Sequence, residues 1–303
     1  MSPRVLVTGA RGFLGRHVMA ALASSDVDLH AVTSGPLPDP TVATWHRADL
    51  LDSTQIAALV EAVRPDTLLH LAWCAKPPHY WRDVDNVRWT SASLELARLF
   101  AQSGGTRIVA AGTCAEYDWR FGYCVERATP VAPTTLYGAA KAAYGSVLEA
   151  MAREVGFEVA WARLFFLLGP HDAPGRLVPS LVARLNAGEV AHCTSGGLLR
   201  DYLYIKDAAE ALVALAATHV TGPVNIGSGV PVRIGAIATA VAERMGRPDL
   251  LRVAEGSSEH PLVAASVERL RTEVGWQPRF NLTTAVDETV QWWTSPAARA
   301  AVA

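Results

Sequence analysis

The strongest constraint on this chain is a short apolar strand that runs directly into a glycine-rich loop near the N-terminus. Residues 4–8 read RVLVT, and residues 9–15 read GARGFLG, a GxxGxxG pattern that opens a helical stretch. Glycines allow a tight turn to bring backbone N–H groups against a pyrophosphate, and the helix N-terminus adds positive potential. The arrangement predicts a dinucleotide-binding fold, although a glycine loop alone also fits an ordinary strand–helix turn.

Short apolar runs alternate with helix-like stretches through the first half of the chain. We expect strands at residues 5–7, 29–32, 67–72, 107–111 and 159–164, and helices at residues 12–23, 53–63, 89–102 and 137–155. Apolar strands that alternate with helices indicate a parallel sheet covered on both faces.

The alternating pattern loosens after residue 164. There we expect a helix at 177–187, a strand near 224–226 and a helix near 284–293. The fold prediction is therefore α/β, with a Rossmann-type doubly wound parallel sheet at residues 1–164. The strand near 224–226 returns to that sheet, and residues 165–303 form a smaller, mainly substrate-binding α/β domain.

Composition limits the possible partners. Of the 303 residues, 50% are hydrophobic and 18% are charged, and the formal net charge of −2 gives no reason to expect nucleic acid or an anionic membrane as partner. The four cysteines form no CxxC pair, so we expect neither a disulfide framework nor a metal site. No stretch approaches the roughly 18 apolar residues of a membrane span. We expect a cytoplasmic protein.

The cofactor prediction rests on the glycine loop and on the ends of the next two strands. The loop residues expected to contact the cofactor are Gly9, Arg11, Gly12, Phe13, Leu14 and Gly15. Asp49, followed by Leu50, lies where the loop after the third strand would meet an adenine ring, although Asp49 also fits a helix N-cap. At the end of the second strand, residues 32–35 read VTSG, so Ser34 stands where NAD-preferring proteins carry an acidic residue. With Arg11 available for a 2′-phosphate, we expect NADP (as NADPH) rather than NAD.

A tyrosine and a lysine four residues apart form the strongest chemical constellation. Tyr137 and Lys141 lie on one face of the predicted helix. A nearby ammonium favours phenolate, so we expect Lys141 to lower the pKa of Tyr137 and allow proton exchange with a substrate oxygen. Thr113, at the end of the fourth long strand, can hydrogen-bond the same oxygen. These three residues are the predicted catalytic group.

With these residues the chain resembles the extended short-chain dehydrogenase/reductase superfamily, and within it the nucleotide-sugar epimerase/dehydratase/reductase group. Besides the glycine loop and the YxxxK pair, the shared segments are LHLA at 69–72, Asn86 before a long helix, GP at 169–170, RDY at 200–202, NIG at 225–227 and GWQP at 275–278. The resemblance implies cofactor contacts from Leu71 and Ala72, and substrate contacts from Asn86 and Arg200. Arg200 would anchor a nucleotide diphosphate, unless it forms a structural pair with Asp201. A homodimer through helices 89–102 and 137–155 is also implied.

The resemblance leaves several reactions open. The related 4,6-dehydratases carry Asp and Glu directly after the catalytic Thr, where this chain has Cys114 and Ala115, and Glu116 is displaced by one residue. We therefore expect reduction of an NDP-4-keto-6-deoxyhexose at C4 by NADPH, in deoxysugar biosynthesis. The alternatives are an NAD-retaining C4 epimerase and an epimerase-reductase that uses Cys114 and His171 as an acid–base pair. A reductase of small apolar ketones, served by the Trp-rich segment 73–81, and a non-catalytic NADP-binding sensor are further alternatives.

Overall fold

The strands and helices are those of a computed structural model that describes residues 2–38, 43–296 and 298, so Met1 and residues 39–42, 297 and 299–303 of the predicted domain ranges lie outside the described residues. The described strands are β1 (Arg4–Thr8), β2 (Asp28–Thr33), β3 (Thr44–Arg47), β4 (Thr67–His70), β5 (Arg107–Thr113), β6 (Tyr123–Cys124), β7 (Glu158–Leu164), β8 (Phe166–Leu168), β9 (Ala191–Cys193), β10 (Leu199–Tyr204), β11 (Gly222–Ile226), β12 (Pro231–Arg233), β13 (Leu251–Val253) and β14 (Leu262–Ala265). The described α-helices are α1 (Gly15–Leu22), α2 (Ser53–Val63), α3 (Asp85–Gln102), α4 (Leu136–Val155), α5 (Leu177–Asn186), α6 (Ile205–Ala216), α7 (Ile234–Arg244), α8 (Glu268–Thr272) and α9 (Leu282–Thr294).

A seven-stranded parallel sheet forms the centre of the fold. Its strand order is β11-β7-β5-β4-β1-β2-β3, and every neighbouring pair is parallel. The predicted Rossmann-type parallel sheet is confirmed. The chain moves outward from β1 through β2 to β3 and then returns to place β4 on the other side of β1. In such sheets ligands bind outside the carboxyl ends of the strands at this reversal, which lies here between β1 and β4.

Helices cover both faces of the large sheet. On one face α2, α3 and α4 bury apolar side chains such as Ile56, Phe100 and Leu148, and on the other α1 and α6 bury side chains such as Val18 and Leu212. Each large apolar side chain buried in this way stabilises the fold by about 1.5–3 kcal/mol. The two helix layers therefore hold the strands of the large sheet in place. The loops that carry the polar site residues lie at the carboxyl ends of these strands.

A smaller sheet lies beside the first and was largely missed by the sequence prediction. Its strand order is β12-β10-β14-β6, with β8 pairing to β10. Its strands are short, between two and six residues, and carry no strict alternation, so periodicity could not identify them. The helices α5, α7 and α9 pack together against it. Strand β11 pairs with β7 in the large sheet, whereas β6 from the first half of the chain pairs with β14 in the small one.

The bounds of two predicted elements are wrong at the cofactor edge. The helix expected from residue 12 begins at Gly15, because residues 9–14 form an irregular turn, with Gly12 N–H donating to the Gly9 carbonyl at 2.9 Å. The strand expected at 67–72 ends at His70, because the next two N–H groups turn toward the side chain of Thr8. Both deviations fall where the chain leaves the sheet at the β1–β4 reversal.

Over the described parts of the chain, no helix combines the length and the hydropathy that crossing a bilayer requires.

Candidate active site

The glycine loop after β1 is built so tightly that two of its positions admit only glycine. Gly9 has a φ of +67°, and a Cβ there would lie 2.8 Å from the backbone N of Ala72. A Cβ on Gly15 would lie 2.0 Å from the Gly9 carbonyl oxygen. The loop therefore packs directly against the chain after β4 and leaves the N-terminus of α1 open at the sheet edge. This geometry fits a dinucleotide pyrophosphate.

Thr8 and His70 lock the two strand ends together beneath this loop. The Thr8 Oγ1 accepts the N–H groups of Leu71 at 3.1 Å and Ala72 at 3.2 Å. Since both lone pairs are used, its hydroxyl donates to His70 Nδ1 at 2.8 Å, and His70 Nε2 then donates to Ser93 Oγ at 2.9 Å. Burial lowers the pKa of His70 to about 3, so the ring is neutral. Leu71 and Ala72 are thereby held at the edge where the sequence predicts cofactor contacts.

The residues predicted for the adenosine end lie on the loops after β2 and β3. Arg11 donates from Nη1 to the Pro36 carbonyl at 2.8 Å, which places its guanidinium beside the turn that contains Ser34. Asp49 is exposed and accepts the N–H of Leu51 at 2.9 Å, but it does not cap α2. That cap is Asp52, which accepts from the N–H groups of Thr54 and Gln55.

Of the other residues predicted to contact the cofactor, some lie in the hydrophobic core and some line the cavity. Leu50 is buried in the core between the sheet and α2, and Leu14 packs against the opposite core. Phe13 lines the cavity that also contains Tyr137. Gly12 closes the turn through its hydrogen bond to Gly9.

Thr113 and Tyr137 are brought together by the end of β5 and the start of α4. Thr113 is the last residue of β5, and Tyr137 is the second residue of α4, whose N-cap Thr135 accepts the N–H of Gly138 at 3.1 Å. The Thr113 hydroxyl lies beside the phenol and favours the phenolate, which lowers the pKa of Tyr137. Burial nevertheless dominates and raises the pKa of Tyr137 above its usual value.

Lys141 lies one turn further along α4 but does not act on the phenol as the sequence predicts. Its Nζ donates to the Ala111 carbonyl at 2.8 Å and lies 3.8 Å from the ring centroid of Trp73. Burial lowers the pKa of Lys141 to about 7, against a raising effect of Glu116. The expectation that Lys141 lowers the pKa of Tyr137 is wrong for this arrangement, because desolvation of the phenol outweighs any nearby positive charge.

The residues after Thr113 place no carboxylic acid in the cavity. Glu116 is fully buried and points to the other side, as its displaced position predicts, where its carboxylate accepts from Arg163 Nε at 2.7 Å and from Trp161 Nε1. It also accepts the N–H of Thr113 at 2.7 Å and so holds the end of β5. Cys114 lines the cavity, but burial raises the pKa of its thiol.

The two predicted substrate contacts, Asn86 and Arg200, are each engaged within the protein. The amide of Asn86 donates to the carbonyls of Tyr80 and Asp83 at 2.7 and 2.8 Å and accepts from Trp73 Nε1 at 2.8 Å. These bonds fasten the segment 73–85 to the start of α3. A direct substrate contact by Asn86 stays a prediction.

Arg200, on β10, is buried and pairs with Glu259 at 3.1 Å rather than with Asp201. Its Nη1 donates to the His260 carbonyl at 2.9 Å, and its guanidinium lies near the rings of Trp119 and Phe166. The carboxylate of Glu259 is exposed at its outer side, with 59% of its side chain accessible. An anionic substrate group that binds Arg200 would have to displace this carboxylate.

A cavity of about 230 Å³ opens at the carboxyl ends of β5 and β7, beside Tyr137. Its walls are mainly aromatic and aliphatic, and the charged residues that line it are Asp172 and Arg176. Tyr80 and Trp81, from the Trp-rich segment, pack edge-on against the Tyr137 ring at 5.0 and 5.7 Å between ring centroids. Sequence reasoning missed Asp172 and Arg176. The available signal was their position just after the Gly169-Pro170 turn that follows β8.

Within the described residues, no three His, Cys, Asp or Glu side chains are grouped so that they could hold a metal ion.

Comparison with known proteins gives the family. Residues 5–227 match the model of the NAD dependent epimerase/dehydratase family. The UDP-glucuronic acid decarboxylase 1 of Xenopus tropicalis is 25% identical over 96% of this chain and 72% of its own length. The dTDP-glucose 4,6-dehydratase of Xanthomonas campestris is 26% identical over 95% of this chain and 92% of its own length.

The fold comparison agrees with the sequence comparison. The UDP-glucose 4-epimerase of Thermus thermophilus, solved in complex with NAD, superposes with a TM-score of 0.86 at 23% identity, covering 97% of this chain and 99% of the epimerase. The family model matches most of the chain, including the glycine loop and the YxxxK pair. The chain therefore belongs to the NAD dependent epimerase/dehydratase family.

Proposed function

We propose that the protein is an NADPH-dependent oxidoreductase that reduces a keto group on a nucleotide-activated sugar, most specifically an NDP-4-keto-6-deoxyhexose at C4. The observation that carries the proposal is the Tyr137 side chain beside Thr113 in the wall of the cavity that opens at the carboxyl ends of β5 and β7. Because burial raises the pKa of Tyr137, the phenol stays protonated at neutral pH and serves as a proton donor to a carbonyl oxygen. Reduction needs such a donor.

The cofactor fits the sheet edge between β1 and β4. The glycine cradle at Gly9 and Gly15 leaves room for a pyrophosphate and no room for a Cβ. When bound, the reduced nicotinamide supplies hydride to the carbonyl carbon. The chain's own part is to orient the substrate oxygen with Thr113, to donate the proton from Tyr137 and to hold the cofactor ribose with Lys141.

The residues around the catalytic group argue against dehydration. The related 4,6-dehydratases carry Asp and Glu at the two positions after the catalytic Thr for the removal of water, and here those positions hold Cys114 and Ala115. Burial raises the pKa of the Cys114 thiol, and Glu116 forms a buried ion pair with Arg163. His171 does not line the cavity beside Cys114, since its Nδ1 accepts from Arg16 Nη1 at 2.8 Å. This arrangement favours simple reduction over a Cys–His epimerase-reductase.

The decisive experiment is a cofactor balance. Incubation with NADPH and a panel of NDP-4-keto-6-deoxyhexoses is expected to consume one NADPH for each ketone reduced, followed by absorbance of the reduced nicotinamide. Simple aromatic and aliphatic ketones serve as the comparison, because the aromatic walls of the cavity also fit an apolar substrate. Faster turnover of those ketones than of every NDP-sugar would contradict the proposal.

The choice of NADPH predicts the behaviour of Ser34→Asp. A carboxylate beside Arg11 would repel the 2′-phosphate, so the dissociation constant of NADPH is expected to rise by about 10- to 100-fold, the usual cost of disturbing a charged hydrogen bond. NADH binding should be unchanged or tighter. Ser34→Asn, which has the same shape without the charge, is the control, and both constants are measured by quenching of protein fluorescence. Tighter binding of NADH than NADPH by the unmodified protein would contradict the NADP assignment.

A second candidate is an NAD-retaining C4 epimerase. It is supported by the structures of the UDP-glucose 4-epimerases of Thermus thermophilus with NAD and of Thermotoga maritima with UDP-glucose, which resemble this chain in fold. An epimerase would interconvert NDP-hexoses with no added NADPH and with no net change in reduced cofactor. Such turnover of a non-keto NDP-hexose would replace the reductase with this candidate.

The proposal includes a homodimer in the cytoplasm. Helices α3 and α4 pack side by side, and their outer faces carry the exposed apolar residues Val87 and Val147. A second copy that packed against this helix pair would cover these side chains. The four free cysteines fit a reducing compartment. Sedimentation of the protein with and without Val147→Glu tests the dimer.

A further inference from the structure

Asp172 is a buried carboxylate that the catalytic group does not use. Only 8% of the residue is exposed, and it lines the same cavity as Thr113 and Tyr137. One carboxylate oxygen accepts the N–H of Ala173 at 2.8 Å. Among the described residues the other oxygen has no hydrogen-bond donor and no ion-pair partner. That oxygen is not one of the fully buried polar atoms without a partner, so it faces the open space of the cavity, where a donor group of a ligand can reach it.

The backbone is shaped so that this side chain faces the cavity. His171 has a φ of +67°, a left-handed conformation that turns the chain sharply just before Asp172. The turn is fixed from outside the cavity, where Arg16 Nη1 donates to His171 Nδ1 at 2.8 Å and the Trp292 ring packs at 4.2 Å between centroids. Residues held in this region are often found at ligand sites, because the surrounding contacts must hold the strain.

The groups that face Asp172 leave its charge largely uncompensated. Arg176 is the nearest positive charge, but its Nη1 donates to the Tyr80 hydroxyl at 3.3 Å and its guanidinium lies 5.2 Å from the Tyr80 ring centroid. Tyr80 and Tyr202 are the other titratable groups beside it, and both phenols are neutral because burial raises their pKa values. As a result burial dominates and raises the pKa of Asp172 to about 6.

We propose that Asp172 is a substrate-binding residue whose free carboxylate oxygen accepts a hydrogen bond from a hydroxyl group of the sugar that Tyr137 protonates. The inference rests on the proposed function and adds the residue that recognises the sugar ring. The cavity of about 230 Å³ is smaller than the roughly 300–1,000 Å³ of typical small-molecule sites, so a ligand in it contacts most of its walls. Sugar hydroxyl groups are the donors that an acceptor-only carboxylate needs.

The first test uses the unliganded protein. A carboxylate whose pKa is raised on folding contributes stability that is full below its unfolded pKa and lost as the pH rises through about 6. Asp172→Asn removes the ionisable group and keeps the acceptor for the Ala173 N–H. Its Tm is therefore expected to exceed that of the unmodified protein at pH 8, by more than at pH 5.

The contrasting variant is Asp201→Asn. Asp201 is fully buried and accepts the N–H groups of Ser228, Gly229 and Ala265, which makes it a structural carboxylate. Its replacement is expected to lower the Tm at both pH values, because an amide nitrogen would face donors. If Asp172→Asn lowers the Tm at pH 8 in the same way, Asp172 is structural and the proposal is wrong.

The second test separates the sugar from the nucleotide by calorimetry. UDP-glucose and dTDP-glucose are titrated against UDP and dTDP, at pH 8 and at pH 5. Asp172→Asn is expected to weaken binding of the sugar nucleotides by about 10- to 100-fold at pH 8, the value of a hydrogen bond to a charged group, and to leave the free nucleotides unaffected. The unmodified protein should lose affinity for the sugar nucleotides at pH 5, and the variant should not.

The results of these tests distinguish the role of Asp172 from the proposed function of the protein. Equal effects of Asp172→Asn on sugar nucleotides and free nucleotides, or no effect on either, would overturn the role of Asp172 and leave the proposed function standing. If the unmodified protein binds neither the sugar nucleotides nor the free nucleotides, the nucleotide-sugar substrate itself is wrong, and the role of Asp172 is wrong with it.

Discussion

Tyr137→Phe is expected to lower kcat for ketone reduction by about 10²- to 10⁴-fold, the usual contribution of a positioned acid–base group. The substitution removes one hydroxyl from a ring held between Tyr80 and Trp81, so folding and NADPH binding should survive. Single-turnover measurements at saturating NADPH separate this loss in the chemical step from any change in binding.

Two further variants serve as comparisons for Tyr137→Phe. Tyr144→Phe makes the same change two turns further along α4, where the buried hydroxyl has no hydrogen-bond partner among the described residues, and should leave kcat unchanged. Thr113→Val should reduce kcat less than Tyr137→Phe, because it removes an orienting hydrogen bond and no proton donor. If the Tyr137→Phe enzyme keeps more than about half of its activity, the proton comes from another group. Glu116 is then excluded by its ion pair, which leaves Asp172 as the acid facing the cavity.

The sequence predicts the cofactor half of the molecule because its signals are local. A glycine loop needs only the strand before it and the helix after it, so residues 4–22 contain the whole argument for the pyrophosphate cradle. The spacing between Tyr137 and Lys141 likewise lies within one helix. The parallel sheet follows from strands buried on both faces, which appear as continuous apolar runs.

The substrate half could not be predicted in the same way, because its contacts join segments distant in sequence. Arg200 pairs with Val232 and Val263, which lie 32 and 63 residues further along the chain, and its partner Glu259 lies in an irregular loop. Asp172 is placed by Arg16, more than 150 residues earlier in the chain. Neither contact produces a periodic pattern of residues in the sequence.

The pKa of Tyr137 illustrates the same limit in electrostatic terms. The YxxxK spacing predicts a lowered value, because it considers the neighbouring charge alone. In the folded protein the pKa of Tyr137 is raised instead, because Tyr80 and Trp81 pack around the phenol and exclude water, and these residues lie more than 50 positions away in the chain. The motif identifies the reacting residues, whereas the packing around them determines whether their pKa values are raised or lowered.

Lys141→Met is expected to reduce kcat/KM for reduction by about 10²-fold and to weaken NADPH binding by about 10-fold, because the ammonium holds the cofactor ribose and thereby orients the nicotinamide toward the substrate. The methionine has nearly the same length and can fill the slot beside Trp73 and the Ala111 carbonyl. Lys206→Met on α6 removes an ion pair with Glu288 and the ammonium contacts with the rings of Tyr204 and Phe280; it is the control and should leave both quantities unchanged.

The pH profile of the Lys141 enzyme tests the role of the ammonium directly. Burial lowers the pKa of Lys141 to about 7, Glu116 opposes that shift, and the neighbouring His70 is neutral. The ammonium form is therefore present below about pH 7, and kcat/KM should fall about tenfold per pH unit above that value. Because the folded protein disfavours the buried charge, Lys141→Met should also raise the Tm at pH 6, and this gain should shrink as the pH rises through 7 toward 10. A variant that keeps the alkaline decline in kcat/KM would show that another group titrates there and that Lys141 acts only through its length and packing.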